Sequence, residues 1–434
     1  MKNIYLKNTA KELTTFVTLW STQSLSMLGS GMTNFALTLW LYQKTGSALQ
    51  TALLSVCSYA PYVLMSIFAG ALSDRWDKKR TMLACDAFAA CCTVTVLVLL
   101  KTGMLRPVHM YLLNAVNGLM NTVQQPASDV AMTLITPQKH YQRTSGLRSF
   151  SNSLITILTP VFATALFAFA GLEAVIYVDL ATFAVAFLTL LVAVRIPVVS
   201  AAEEEKESFF AAVKTGLAYL EKNRLILVLI LFLAAVNLVA SAFDAVLPAY
   251  VLPRENGGER VLGVVTSCSG IAMLVGSLIT TALPAPKNRI RVIYVTMLIS
   301  LSIENFVLAF GRTPPVWCAA QIAGWLLVPV MNANLDVILR SSIPVDIQGR
   351  VYSCRNTLQF FTIPVGFLLG GFLVDEICEP VMAAAAPGSV LRPLFGSGKG
   401  SGAAMMMFLL GVMGVAVCLY FRGILRKYSY KDKE

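Results

Sequence analysis

The chain has 434 residues, of which 56% are apolar and only 13% are charged, and its formal net charge is +11. Soluble globular domains carry about a quarter charged residues, so this chain has too few charges to cover a water-exposed surface. The composition excludes a cytosolic enzyme, a secreted disulfide scaffold and a disordered chain, and it predicts an integral membrane protein.

Long apolar runs between charged or Pro- and Gly-rich breaks predict twelve membrane-spanning helices, here called spans 1 to 12. Each span needs about 20 apolar residues to cross roughly 30 Å of hydrocarbon. The first run is too long, and a second follows too soon, for a cleaved signal peptide. In chain order the spans are 16–41, 49–72, 81–100, 108–134, 147–170, 174–194, 225–251, 262–283, 292–310, 316–339, 351–374 and 403–421.

The distribution of basic residues predicts the orientation in the membrane. With the N-terminus inside, most of the 34 Lys and Arg residues fall on the cytoplasmic side, as the positive-inside rule requires. We therefore expect a multi-pass protein of the plasma (cytoplasmic) membrane with both termini in the cytoplasm. The same rule accounts for the net charge, so a nucleic-acid partner is not expected.

The sequence offers no constellation for catalysis or for a cofactor. The nine cysteines lie in or beside apolar runs without a CxxC pair, and only two histidines are present. We interpret the cysteines as small apolar core residues. No nucleophile–base pair and no complete ATP-binding P-loop emerges, so we expect neither an enzyme nor an ATP-driven pump, and no cofactor or metal.

The longest loop predicted to be inside divides the chain into a first six-helix bundle (1–195), a linker (196–223) and a second six-helix bundle (224–434). Apolar residues recur at helical spacing in the linker: Phe209, Val213, Leu217 and Leu220. They indicate a short amphipathic helix on the membrane face, and a solvated linker with apolar anchors explains them equally well.

The two bundles look like repeats of each other. An offset of 207 brings positions 129, 130, 137, 143 and 148 onto identical residues at 336, 337, 344, 350 and 355. Parallel repeats of six spans are a transporter architecture, so we expect two pseudo-symmetric halves.

The loop between spans 2 and 3 reads GALSDRWDKKR from Gly70 to Arg80. It resembles the signature G-x-x-x-D-R-x-[GD]-[KR]-[KR]-[KR] of the major facilitator superfamily. In that family the Asp lies near a helix N-terminus of the other half, where the helix dipole favours an anion. The corresponding segment 286–291 has no Asp. The resemblance implies a conformational latch made of Gly70, Asp74, Arg75, Lys78, Lys79 and Arg80.

Further segments resemble the macrolide-efflux, drug–proton antiporter branch of this superfamily: 20–29, 39–48, 176–183 and 195–197. This resemblance implies alternating access and export of amphipathic compounds. Two features depart from the branch. Span 4 lacks the Arg that many such antiporters carry, and span 5 keeps Pro160 but has Thr159 where a glycine is expected. Sodium coupling, or another carboxylate route, therefore stays open.

In this fold, spans 1, 4, 7 and 10 line the central cavity, and each carries polar residues at helical spacing. Polar side chains avoid lipid, so they indicate a cavity, although hydrogen bonds between helices could explain any one of them. The predicted substrate cavity comprises Gln23, Asn34, Asn117, Asn121, Asn237, Asp244, Gln321 and Asn332.

Charged residues in or near spans supply the other candidates. Asp244 is the coupling candidate, because only it combines membrane depth with a cavity span; a charge reaching the outer interface is the alternative. Asp179 and Glu304 have no assigned role. An inner gate is predicted from Asp129, Arg143, Arg148, Asp336, Arg350 and Arg355.

The sequence thus predicts a monomeric secondary transporter that exports amphipathic, macrolide-like compounds by alternating access and proton antiport. Its expected partners are membrane lipid, a small amphipathic substrate, and protons or sodium as the coupling ion. The alternatives are an exporter of a natural metabolite such as a siderophore, a lysolipid flippase, or a non-transporting membrane sensor of the same fold.

Overall fold

The computed structural model describes residues 2–137, 140–197, 209–344 and 347–428, with side chains except at 2–12, 66–75, 142–143, 209–213, 349 and 353. This described part of the chain is helical and contains no strand. The helices are α1 (Lys2–Thr45), α2 (Ala48–Arg75), α3 (Lys78–Lys101), α4 (Pro107–Leu134), α5 (Tyr141–Leu188), α6 (Phe209–Lys222), α7 (Arg224–Val251), α8 (Glu259–Ala282), α9 (Arg289–Phe310), α10 (Pro314–Trp325), α11 (Val328–Ser342), α12 (Gln348–Phe360), α13 (Thr362–Phe372), α14 (Glu379–Ala384), α15 (Leu391–Phe395) and α16 (Ser401–Leu425).

Two π-helical segments, Thr189–Ala193 and Leu373–Cys378, continue α5 and α13. Every predicted span falls on helix, and nine helical runs of the described residues are long and apolar enough to cross a membrane. One of these runs, Thr144–Ala193, contains predicted spans 5 and 6, which are separated at Gly171 by a φ of 75°. The all-α membrane fold is confirmed, and the number of twelve crossings stays a prediction.

Helices α1 and α4 are not among the nine runs, although they have 44 and 28 residues. At 1.5 Å per residue, α4 is long enough to cross the hydrocarbon core. Both helices carry the polar residues that predicted a cavity, and these residues lower the hydropathy of each window. The polar side chains that predict a cavity therefore also lower the mean hydropathy by which a membrane span is recognised.

Contacts divide the chain into two compact units. Unit 1 comprises Met1–Leu37 and Ala60–Lys206, and unit 2 comprises Thr38–Tyr59 and Glu207–Glu434. The predicted domain boundaries at 195 and 224 stay a prediction, and each unit is described by itself below.

In unit 1, apolar side chains of α1, α3, α4 and the π-helical segment form one core, which includes Phe16, Met82 and Leu190. Helix α1 also packs closely on α5 through two glycines. A Cβ on Gly31 would lie 3.1 Å from the side chain of Thr159, and one on Gly29 would lie 3.0 Å from the Cα of Asp179. Span 5 has Thr159 where a glycine is expected, and Gly31 of α1 provides the space that close packing of the two helices requires.

In unit 2, α7 is buried along most of its length and packs between α13 and α16. Glycines of α13 allow the approach, since a Cβ on Gly370 would lie 2.6 Å from the carbonyl oxygen of Ala242. A Cβ on the next residue, Gly371, would lie 2.6 Å from the Cα of Leu49 in α2. The first turns of α2 therefore belong to unit 2 because α13 presents no side chain there.

The helix boundaries follow the repeat seen in the sequence. Helix α5 begins at Tyr141 and α12 at Gln348, which are separated by the sequence offset of 207. Helices α3 and α9 also begin alike: Asp77 accepts a 2.7 Å hydrogen bond from the backbone N–H of Arg80, and Asn288 accepts a 2.8 Å bond from that of Arg291. Asn and Asp are both good N-caps. Segment 286–291, which has no Asp, therefore still begins a helix in the same way.

The predicted linker helix is present as α6, and it packs against protein. Its Leu220 side chain is buried, and the Tyr219 hydroxyl donates a 2.6 Å hydrogen bond to the carbonyl oxygen of Ser342. A Cβ on Gly216 would lie 2.8 Å from the carbonyl oxygen of Arg350. The side chains of Phe209 and Val213 lie outside the described residues.

Candidate functional site

The predicted latch is described only in its basic half, because the side chains of Gly70, Asp74 and Arg75 lie outside the described residues. Lys79 donates 2.9 and 2.8 Å hydrogen bonds to the carbonyl oxygens of Leu191 and Val194. These carbonyls end the π-helical segment after α5 and have no helical partner of their own. Lys79 therefore ties the loop to the end of span 6, and the latch role stays a prediction.

Lys78 and Arg80 are the other two basic latch residues whose side chains are described. Lys78 donates a 3.2 Å hydrogen bond to the carbonyl oxygen of Trp76, and the Arg80 side chain is exposed.

The predicted cavity residues of unit 1 lie on α1 and α4. Asn34 and Asn121 are exposed, and Gln23 and Asn117 are half-buried. The Asn117 Oδ1 atom is buried without a hydrogen-bond partner among the described residues. The substrate role of this set stays a prediction.

A carboxylate that the sequence analysis did not select lies beside this set. Asp86 is on α3 and is 8% exposed. Its Oδ1 accepts a 2.5 Å hydrogen bond from Gln124 Nε2 of α4, and its Oδ2 accepts a 3.5 Å bond from Gln23 Nε2 of α1. The signal that could have identified Asp86 is an isolated Asp a few residues inside an apolar span.

Asp179, whose role the sequence left open, joins two helices of unit 1. It is buried, and its Oδ1 accepts a 2.9 Å hydrogen bond from the Ser30 hydroxyl of α1. Together with the close approach at Gly29, this bond holds α1 against the second part of α5.

The predicted cavity residues of unit 2 have different surroundings. Asp244 and Asn332 are exposed, whereas Gln321 is only 1% exposed. Asn237 donates a 3.0 Å hydrogen bond from Nδ2 to the carbonyl oxygen of Gln359.

Glu304 lies at the contact of α9 with α10 and is 5% exposed. Its carboxyl group packs on Gly324, whose carbonyl oxygen accepts a hydrogen bond from the Ser300 hydroxyl. Three buried polar atoms of these two helices have no hydrogen-bond partner in the described part of the chain: Glu304 Oε1, Gln321 Nε2 and Trp325 Nε1. Native proteins leave few such atoms unpaired, so this contact is unusually polar for a buried contact between helices.

Glycine at 324 is what makes room for the Glu304 carboxyl group. A Cβ there would collide with that group and would lie 2.8 Å from the Glu304 Cβ. We expect Gly324→Ala to destabilise the protein by about 1–3 kcal/mol, as overpacking does, and to lower its unfolding temperature in micelles. Gly423→Ala is the matched control in a helix, because a Cβ there meets nothing within 4 Å. Equal unfolding temperatures of the two variants would contradict the packing role.

One carboxylate, Asp375, holds two segments of unit 2 together at the end that the basic residues predict to be outside. We call this contact the outer clasp. Asp375 accepts hydrogen bonds from the Ser47 hydroxyl (2.5 Å), the Ala48 N–H (3.0 Å) and the Leu49 N–H (2.8 Å). The Ser47 hydroxyl in turn accepts a 3.1 Å bond from the Gln50 N–H. Asp375 thus binds the N-terminus of α2, where free N–H groups and the helix dipole favour an anion.

Other polar contacts order the loops at the same end. Glu379 accepts a 2.8 Å hydrogen bond from the Gly400 N–H at the start of α16. Arg254 donates 3.3 Å bonds to the carbonyl oxygens of Phe395 and Gly400, and its guanidinium lies 4.4 Å from the centre of the Tyr250 ring. Burial lowers the pKa of the Arg254 guanidinium from its ordinary value.

The predicted inner-gate residues are described partly. Arg148 of α5 forms an ion pair with Asp129 of α4. In unit 2, Arg355 donates a 3.0 Å hydrogen bond to Gln359 Oε1, Asp336 is exposed and Arg350 is half-buried. The Arg143 side chain lies outside the described residues, and the gating role stays a prediction.

A family model for the Major Facilitator Superfamily matches residues 19–366. The chain belongs to this superfamily. Macrolide efflux protein A of Streptococcus pyogenes is 25% identical over 367 residues, covering 83% of this chain and 90% of that protein. The protein of the same name from Enterococcus faecalis is 25% identical over 326 residues, covering 74% and 99%.

The crystal structure of the nucleoside transporter NupG shares the superfamily fold with this chain. The TM-score is 0.71 at 13% identity, over 96% of this chain and 100% of that one. The resemblance seen at Gly70–Arg80 and in the efflux-like segments is thus confirmed at the level of family. The protein is a multi-pass membrane transporter of the Major Facilitator Superfamily.

Proposed function

We propose that this transporter exports amphipathic, macrolide-like compounds and is driven by protons moving in the opposite direction. The observation that carries the coupling is the placement of Asp244 and Glu304 within helices of unit 2 whose lengths suit membrane spans. No ion pair joins either carboxylate to a basic side chain in the described residues.

A carboxylate inside a span costs about 2.5–3.5 kcal/mol on insertion scales unless something compensates its charge. Each of the two carboxylates carries that cost, since neither has a basic partner in the described residues. A bound proton or cation compensates it. Loading and release of such an ion is what couples a secondary transporter to an ion gradient, and each charge moved through 100 mV supplies about 2.3 kcal/mol.

The substrate class rests on the relatives and on the polar helices. Two relatives with about 25% identity are named macrolide efflux protein A. Helices α1 and α4 present amide side chains, together with the exposed Met27, whose flexible thioether adapts to varied ligands. We place the transporter in a bacterial plasma membrane as a monomer with both termini in the cytoplasm, so that export removes compounds from the cell.

Inside-out vesicles that contain the protein test the proposed function. We expect uptake of labelled erythromycin when a pH gradient, acid inside, is imposed, and loss of that uptake when a protonophore is added. Vesicles without the protein are the control. Uptake that follows a sodium gradient would replace the proton as the coupling ion, and no uptake under either gradient would contradict macrolide export and direct the same assay to siderophores and lysolipids.

A further inference from the structure

The Asp86 cluster in unit 1 joins three helices around one buried carboxylate. Gln124 of α4 donates to Oδ1 and Gln23 of α1 donates to Oδ2, while Asp86 itself belongs to α3. All three residues lie in the halves of their spans that the basic residues predict to be nearer the cytoplasm. An exporter collects its substrate on that side.

The chemistry of the cluster is that of a site for a positive charge. An ionised carboxylate only accepts hydrogen bonds, so both amides must present their NH₂ groups to it. The two amide oxygens accept no hydrogen bond in the described part of the chain. No basic side chain forms an ion pair with Asp86 there, so in its ionised form the buried carboxylate is solvated by neutral amides and lacks a counter-charge among the described residues.

The surroundings favour an organic cation over a metal ion. Trp20 and Met27 lie one turn before and after Gln23 on α1. The Trp20 indole N–H donates a 3.1 Å hydrogen bond to the Ser151 hydroxyl of α5, and Met27 is exposed. Aromatic rings and thioethers accommodate a substituted ammonium group and the apolar groups attached to it. Hard cations instead need a shell of oxygen ligands, whereas here the amide nitrogens point at the carboxylate.

We propose that Asp86, Gln23 and Gln124 form a subsite for the protonated amine of an amphipathic substrate. The carboxylate supplies the counter-charge, and an amide oxygen accepts the N–H of the ammonium group. This inference rests on the proposed export function and deepens it, since it names the charge of the exported compounds. The subsite is separate from the coupling carboxylates, which lie in unit 2.

Equilibrium binding to the purified full-length protein in micelles tests the subsite without requiring transport. The probes are labelled erythromycin and verapamil, which each carry one tertiary amine, and erythronolide B, which is the 12-deoxy form of the erythromycin macrocycle and has no sugars and no amine. We expect Asp86→Asn to weaken binding of both amines about 30-fold or more, as loss of one partner of a buried charge pair does, and to leave erythronolide B binding unchanged. Asp179→Asn is the matched control, because it removes the charge of another buried Asp of unit 1, and it should leave amine binding unchanged.

Unfolding temperatures of the variants show whether each has folded. If Asp86→Asn does not fold, Gln124→Leu serves instead, since it keeps the carboxylate and removes one amide, and it should weaken the amines selectively. The subsite is overturned if the wild-type protein binds neither amine, if the variant weakens erythronolide B equally, or if Asp86 governs a dependence of binding on NaCl that KCl does not reproduce. Binding without uptake in vesicles would refute export alone, and uptake with Asp86-independent binding would refute the subsite alone.

Discussion

Replacing Asp244 with Asn is expected to abolish uptake driven by a pH gradient and to leave exchange of labelled for unlabelled substrate intact. Net accumulation requires that the coupling ion binds and is released in each cycle, whereas exchange requires only that the loaded transporter changes its conformation. Glu304→Gln should have the same effect, because Glu304 is the second carboxylate of the proposed coupling pair. Uptake in both variants should fall to near the level of vesicles without the protein.

The measurement is erythromycin uptake in inside-out vesicles, followed by counterflow in the same vesicles without a gradient. Glu255→Gln is the matched control, because Glu255 is an exposed acid in the loop that follows α7. Protonophore-sensitive uptake that survives in Asp244→Asn would contradict the assignment of Asp244. Loss of both uptake and counterflow would point to a structural role for that residue.

Replacing Asp375 with Asn should open the outer clasp and accelerate amide hydrogen exchange at the first turn of α2. The carboxylate accepts hydrogen bonds from the N–H groups of Ala48 and Leu49, and bonds to a charged group contribute about 1.5–3 kcal/mol. Losing that contribution should speed exchange in peptides that cover this turn about tenfold to a hundredfold.

Hydrogen–deuterium exchange of the full-length protein, read by mass spectrometry, measures the effect. The control is Glu376→Gln, which neutralises the exposed acid next to Asp375. Unchanged exchange at Ala48 and Leu49 in Asp375→Asn would show that the carboxylate does not protect these amides.

Asp375 and Asp86 were not selected from the sequence, although both bind partners in the structure, and the reason is physical. Asp375 follows an apolar run directly, so it reads as the ordinary polar end of a span. Only the approach of Gly371 to α2 brings its oxygens to free N–H groups 327 residues away. Asp86 is likewise one acid in an apolar helix, and its two amide donors come from different helices.

Gln321 and Asn237 illustrate the limit of a polar stripe as a predictor. Both lie at helical spacing on spans expected to line a cavity, yet Gln321 is buried and Asn237 bonds to a backbone carbonyl of α12. A period of 3.6 shows that residues share one face of a helix, but the direction of that face depends on the neighbouring helices. A stripe of polar residues therefore reduces the number of candidate cavity residues, but it does not show whether they line a cavity or contact another helix.

Composition, the apolar runs and the Gly70–Arg80 signature were enough to establish an all-α membrane transporter of the Major Facilitator Superfamily, because these features are local and depend on lipid as the solvent. The repeat offset of 207 was also visible, and the starts of α5 and α12 follow it. The neighbours of Asp86, Glu304 and Asp375 were decided only by the tertiary structure. Each of these carboxylates meets groups far away in the chain, and such meetings depend on how whole helices pack, which no single segment encodes.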